Sequence, residues 1–224
     1  MSTNKYKHDP VHYELERNGP KQDVEFTREQ VNDLIKKHLN KTVIKYDPLE
    51  RGANNSIYLI VTEDQHNYVL KVTGRFWTKY KTENEVHALK LISKYTTIPV
   101  SNVIAFDSNK SNDYGEEWIL MTKLAGQPLD KRWPKMSKEE KKKLLLKLSL
   151  YIQELKQNLP KFDKIGGLSS FDTIGSDPHG NGPWLGFQEF YNDRLQVEIE
   201  ALKQDNVFDP IRTDVLNMLM NLKN

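Results

Sequence analysis

The 224-residue sequence has no cysteine, which excludes disulfide staples and thiolate metal sites. It has no marked excess of either charge: 33 lysines and arginines face 31 aspartates and glutamates, a net charge of +2. The two signs are interspersed, so there is no basic footprint for nucleic acid and none for an anionic membrane surface. No apolar run approaches the length of a membrane span, and residues 1–18 lack the apolar core of a signal peptide. These absences together give the expectation of a cytoplasmic protein with neither nucleic-acid nor membrane partners. What is present is ordinary globular composition, 37% hydrophobic and 29% charged. The length allows one or two domains and a sizeable core.

Residues 1–22 carry Asp9-Pro10, Gly19-Pro20 and few apolar groups, and read as a flexible tail. His8 and His12 stand four apart, but the intervening Asp9-Pro10 argues against a helix that would pair them on one face. The first firm element is a helix over 28–39. Thr27 and Gln30 have capping-box spacing, Phe26 and Val31 that of a hydrophobic staple, and Val31, Leu34, Ile35, His38 and Leu39 mark one stripe at helical spacing. Strands follow at 43–46, 57–61 and 68–72, the last two joined by a polar turn over 63–67.

The run Asn67-Tyr-Val-Leu-Lys-Val places a single lysine, Lys71, between Leu70 and Val72 of an apolar strand. An ammonium there needs an anionic partner, because burying it unpaired costs several kcal/mol or forces it neutral. Taken alone, Lys71 reads most simply as a strand lysine on a solvated edge. Two anions compete with that reading. One is Glu85, on a helical run over 78–94 with Leu89 and Ile92 on its face. The other is a phosphate, because Gly52, Ala53, Asn54, Asn55 and Ser56 form a turn between strands. Gly and Asn tolerate the backbone angles that turn N–H groups toward an anion. That turn matches neither G-x-x-x-x-G-K-[ST] nor G-x-G-x-x-G in full. The order of elements favours a glycine turn over phosphates, a strand lysine holding them and a helix glutamate steadying the lysine.

Further strands are expected at 103–106 and 118–124, giving five strands with one helix inserted after the third. The stretch 118–126 runs from an apolar strand through a short linker to Gly126 and Pro128, as a hinge between lobes would. The division expected is a tail over 1–22, a nucleotide-binding lobe over 23–125 and a partial helical lobe over 126–224. In the second lobe Ser137 and Glu140 start a helix reaching about residue 157. Leu144, Leu148, Tyr151, Ile152 and Leu155 form its stripe, and the surrounding lysines a solvated face. Residues 160–186 are glycine-rich, and helices follow over 187–202 and 215–222.

These stretches, in this order, resemble the aminoglycoside phosphotransferase and choline-kinase-like family of small-molecule kinases. The most family-specific are Phe162-Asp-Lys-Ile-Gly-Gly-Leu168 and Gly182-Pro183-Trp184. The resemblance implies an α+β, protein-kinase-like fold with a five-stranded antiparallel sheet and one key helix, followed by a mainly helical part. It implies ATP as the bound nucleotide and a small hydroxylated acceptor. Gly52, Ala53, Asn54, Asn55 and Ser56 would cover the phosphates, and Lys71 would contact them and pair with Glu85. Met121 would sit behind the adenine, with the Thr122 carbonyl and Leu124 amide on its edge.

The family also needs H-G-D-x-x-x-x-N, whose aspartate serves the acceptor hydroxyl and whose asparagine binds Mg²⁺. No such run occurs here; His179-Gly180-Asn181 stops short of it. No catalytic or metal-ligating residue is therefore expected in this chain, and the Mg²⁺ ligands are expected in a missing C-terminal part. The leading reading is the ATP-binding portion of such a kinase, inactive alone and self-associating through uncovered apolar surface. A non-catalytic scaffolding module of the same fold is the alternative.

Overall fold

The computed structural model describes residues 24–49, 55–74, 77–170, 172–204 and 210–223. Helix α1 (Arg28–Leu39) opens on the expected capping box. The Thr27 hydroxyl accepts from the Gln30 amide at 3.2 Å, and the Gln30 side chain accepts from the Thr27 amide at 2.9 Å. Asn40 ends it in the left-handed region, φ 53°, a conformation Asn tolerates. Strands β1 (Val43–Pro48), β2 (Asn55–Thr62) and β3 (Asn67–Thr73) follow as antiparallel neighbours. Helix α2 (Lys79–Tyr95), then β4 (Val103–Asp107) and β5 (Trp118–Thr122), complete the sheet in the order β1-β2-β3-β5-β4. Strand β5 stops at Thr122, two residues short of its expected end at Leu124.

Alternation along the strands gives the sheet two different faces. In β2, Ser56, Tyr58, Ile60 and Thr62 are buried, and Asn55, Ile57, Leu59 and Val61 are half-buried. In β3, Tyr68, Leu70 and Val72 are buried beside them, under Val31, Leu34 and Ile35 of α1, with Trp118 and Leu120 of β5. Each large side chain fully buried there, such as Ile60 or Leu70, contributes about 1.5–3 kcal/mol. The opposite face carries Val69 and Lys71 of β3 and Ile119 and Met121 of β5. There α2 packs Val86 and Leu89 against Ile119 and Met121. The buried line of α2 is Thr82, Val86 and Leu91, with Glu85 at its border and Leu89 and Ile92 only half-buried.

The C-terminal half is helical as expected, with additions. A short helix α3 (Leu129–Arg132) and a 3₁₀ turn (Trp133–Lys135) precede α4 (Lys138–Asn158), which starts on the Ser137/Glu140 capping box. The glycine-rich stretch, expected to be loop, holds a two-stranded ribbon of β6 (Gly167–Leu168) and β7 (Ile174–Gly175). Helices α5 (Phe187–Gln204) and α6 (Arg212–Lys223) then pack on each other. No described helix is long and apolar enough to cross a membrane.

Candidate functional site

Lys71 sits mid-strand, opposite Ile57 of β2 and Ile119 of β5, so the sheet fixes its backbone on both sides. Its odd position in the alternation sends the side chain to the α2 face. There its ammonium lies 2.5 Å from both carboxylate oxygens of Glu85, fourteen residues away in sequence. The side chains retain 16% and 29% of their exposure, so the pair is sheltered while still open to solvent. An ammonium held between two carboxylate oxygens is fixed in position. Of the candidates for Lys71, the glutamate partner is realised in the structure.

Two more charges lie in the same cluster, and sequence reasoning missed both. Lys81, one turn before Glu85 on α2, reaches 3.9 Å from the Glu85 carboxylate and donates to the Asn55 side-chain oxygen at 2.8 Å. Burial first, and the Lys71 charge second, lower its pKa to about 8. Glu117, before β5, is 1% exposed, and burial pushes its carboxyl above the ordinary range. The signal for Lys81 was its four-residue spacing to Glu85 on one helix face. Glu117 gave none, because an acid before a strand reads as loop.

The other expected site residues are spread around this centre. Met121 is buried on the same face as Lys71, paired with Val69 and Val103. Thr122 ends β5 with its amide on the Asn102 carbonyl at 3.0 Å and its hydroxyl accepting from the Asn102 amide at 2.9 Å. Leu124 lies beyond the strand, 47% exposed. Asn55 starts β2 on the Lys71 face. Ser56 falls on the opposite face, where its hydroxyl donates to the Val24 carbonyl at 2.6 Å. Gly52, Ala53 and Asn54 lie outside the described residues. A cavity of about 300 Å³ on the α1 face, beside Phe26, Tyr46 and Tyr58, belongs to neither lysine.

The glycine-rich stretch holds α2 in place. The Asn84 side-chain amide, through Nδ2, donates to the Tyr80 carbonyl at 2.6 Å and the Ser176 carbonyl at 3.1 Å. The Thr78 hydroxyl, at the helix N-cap, donates to the Pro178 carbonyl at 2.8 Å instead of capping the helix. His179-Gly180-Asn181 is a turn around Asp177, whose Oδ1 accepts from the amides of His179 and Asn181, both at 2.9 Å. Its imidazole leans on Trp77 with ring centroids 5.1 Å apart, so this run buttresses the start of α2.

Residues 45–209 match the family model described as phosphotransferase enzyme family. The altered inheritance of mitochondria protein 9, mitochondrial, of Debaryomyces hansenii is 24% identical over 169 residues, 71% of this chain and 27% of that protein. A subtelomeric hrmA-associated cluster protein of Aspergillus fumigatus is 22% identical over 103 residues, 45% of this chain and 20% of that protein. The chain thus spans between a fifth and about a quarter of the length of these relatives. Among solved structures, a thermostable mutant of aminoglycoside phosphotransferase APH(4)-Ia, in ternary complex with AMP-PNP and hygromycin B, is similar in fold. That likeness has a TM-score of 0.52 at 13% identity and covers 86% of this chain and 59% of that one. The fold is α+β and protein-kinase-like, with a five-stranded antiparallel sheet, and the chain belongs to the phosphotransferase enzyme family.

Proposed function

We propose that this chain is the ATP-binding portion of a small-molecule phosphotransferase. In the complete protein it would serve phosphoryl transfer from ATP to a hydroxyl of a small acceptor. The observation that carries the reading is the Lys71–Glu85 pair, set on a sheet face where Ile57, Leu59 and Val69 are only half-buried. A purine has an apolar floor there, Met121 behind it, and the Thr122 carbonyl and Leu124 amide for its edge. Gly52, Ala53, Asn54 and Asn55 would cover the phosphates, whereas Ser56, turned to the α1 face and paired with Val72, would not. The kinship with an enzyme solved with AMP-PNP supports the same reading.

In this reading Lys71 neutralises charge on the α- and β-phosphates, and Glu85 holds it where that charge develops. Magnesium in phosphoryl transfer is held by one or two carboxylates together with the phosphates themselves. Among the described residues no group of three or more His, Cys, Asp or Glu side chains is placed to hold a metal ion. We read the chain, which carries no H-G-D-x-x-x-x-N run, as binding nucleotide without itself transferring phosphate. Thermal unfolding with and without ATP tests the binding. At a hundred times its dissociation constant a ligand adds about 2.7 kcal/mol of stability, a rise of several degrees. An unchanged midpoint at millimolar ATP would overturn the reading. Lys71-dependent turnover of ATP with a hydroxylated acceptor would show instead that a catalytic acid lies within the chain.

The same reading assigns α4 a partner surface. The 21-residue helix has no buried residue, and Leu145, Leu146, Leu148, Leu150 and Ile152 are 40–63% exposed. Apolar area left in water costs about 25 cal/mol per Å², and contiguous patches drive association. The isolated chain is expected to bind a hydrophobic dye and to self-associate in sedimentation. A dye-silent monomer at high concentration would contradict this.

A further inference from the structure

We propose that Lys81 is a second phosphate-binding lysine: with Lys71 it flanks the Glu85 carboxylate, and the three groups present one net positive charge to the polyphosphate of a nucleotide. The inference rests on the nucleotide reading above and extends it to a residue the sequence pattern did not single out. Its basis is geometric. One carboxylate serves two ammoniums, with Lys71 at 2.5 Å and Lys81 at 3.9 Å, and the Lys81 side chain is 13% exposed. Two sheltered ammoniums share the one Glu85 carboxylate, so a phosphate placed beside them would be favourably bound.

The second basis is connectivity. Lys81 is bonded to Asn55, the residue that opens β2. One side chain therefore links α2, which carries Glu85, to the start of the strand whose Ile57 pairs with Lys71. Lys71 has no such link, because its carboxylate partner is on α2 alone.

The charged and titratable groups facing Lys81 are Lys71 of β3, Glu85 of α2 and Glu117 before β5. The Trp77 ring lies 6.0 Å from its ammonium, and His179 leans on that ring. Burial and the Lys71 charge hold its pKa near 8, against the opposing carboxylates. A lysine with this pKa is protonated below about pH 8 and neutral above it. An anion binds the protonated form, so affinity is full on the acid side and is lost as pH rises through that value.

The test is calorimetric titration of metal-free ADP, with adenosine as the phosphate-free control, into wild type, Lys81→Met, Lys81→Arg and Lys71→Ala. Lys81→Met is expected to weaken ADP by roughly ten- to a hundredfold and to leave adenosine unchanged. Wild-type affinity for ADP should fall by roughly tenfold between about pH 7 and pH 9. Lys81→Arg should keep the neutral-pH affinity and show no such fall, because a guanidinium does not titrate there. That profile decides the matter if Lys81→Met fails to fold. Lys71-dependent ADP binding that ignores Lys81→Met, or a wild-type profile shared by Lys81→Arg, overturns the role of Lys81 alone. Wild type that binds no ADP overturns both this role and the nucleotide site.

Discussion

Alanine at Glu85 should destabilise the fold by about 1–3 kcal/mol, more than alanine at Lys71. The asymmetry follows from the counting of charges. Glu85→Ala strands two sheltered ammoniums, Lys71 and Lys81, which then repel each other. Lys71→Ala leaves the carboxylate with Lys81, already 3.9 Å away and able to close in. Both groups keep some solvent, so the cost stays below that of a fully buried pair. The double variant removes the partner each single variant strands, and should lose less than the sum by about 1 kcal/mol or more. Denaturant unfolding of the four proteins measures the coupling. Strict additivity, or a smaller loss at Glu85 than at Lys71, would mean the pair is not held as described.

The second large effect lies far from any charge. Gly167→Ala would place a Cβ 1.9 Å from the Asn84 side-chain oxygen and 2.3 Å from the Ser176 carbonyl. The Asn84 side chain can swing away, but then it gives up the Tyr80 and Ser176 carbonyls that it joins. The Ser176 carbonyl is backbone and can move only with β7. Overpacking of this kind costs about 1–3 kcal/mol, and here it pries the ribbon from the helix that carries Glu85. Gly186→Ala is the control, because its Cβ would meet nothing within 4 Å. Unfolding should separate the two variants clearly, and ATP affinity should fall only for Gly167→Ala. Equal stabilities would show that the ribbon does not brace α2.

The parts legible in the sequence were those governed by local physics. Caps fixed the starts of α1 and α4, because a Thr or Ser three residues before a Gln or Glu has few other uses. Alternation found the strands of the hairpin, and the lone lysine within one of them pointed to Glu85. Strand order was not legible: β5 inserts between β3 and β4 through pairings that no local pattern encodes. Two-residue strands such as β6 and β7 carry too few positions for a period to show. Ser56 was grouped with its neighbours by sequence, although alternation alone assigns it to the α1 face with Tyr58. Lys81, in the first turn of α2, was not singled out in the sequence at all. Only the angle of α2 against β2 brings it to Asn55. The stripe expected on α4 holds only in part: Leu144, Tyr151 and Leu155 are half-buried, but Leu148 and Ile152 are exposed, as are Leu145, Leu146 and Leu150 outside it.

The claim on which the rest depends is that Lys71 holds the phosphates of a nucleotide. Titration of ATP into wild type and Lys71→Ala by calorimetry tests it most directly. Loss of a charge-assisted contact is worth about 1.5–3 kcal/mol, so the variant should bind roughly ten- to a hundredfold more weakly. Equal affinities in the two proteins would remove Lys71 from the site and contradict the account.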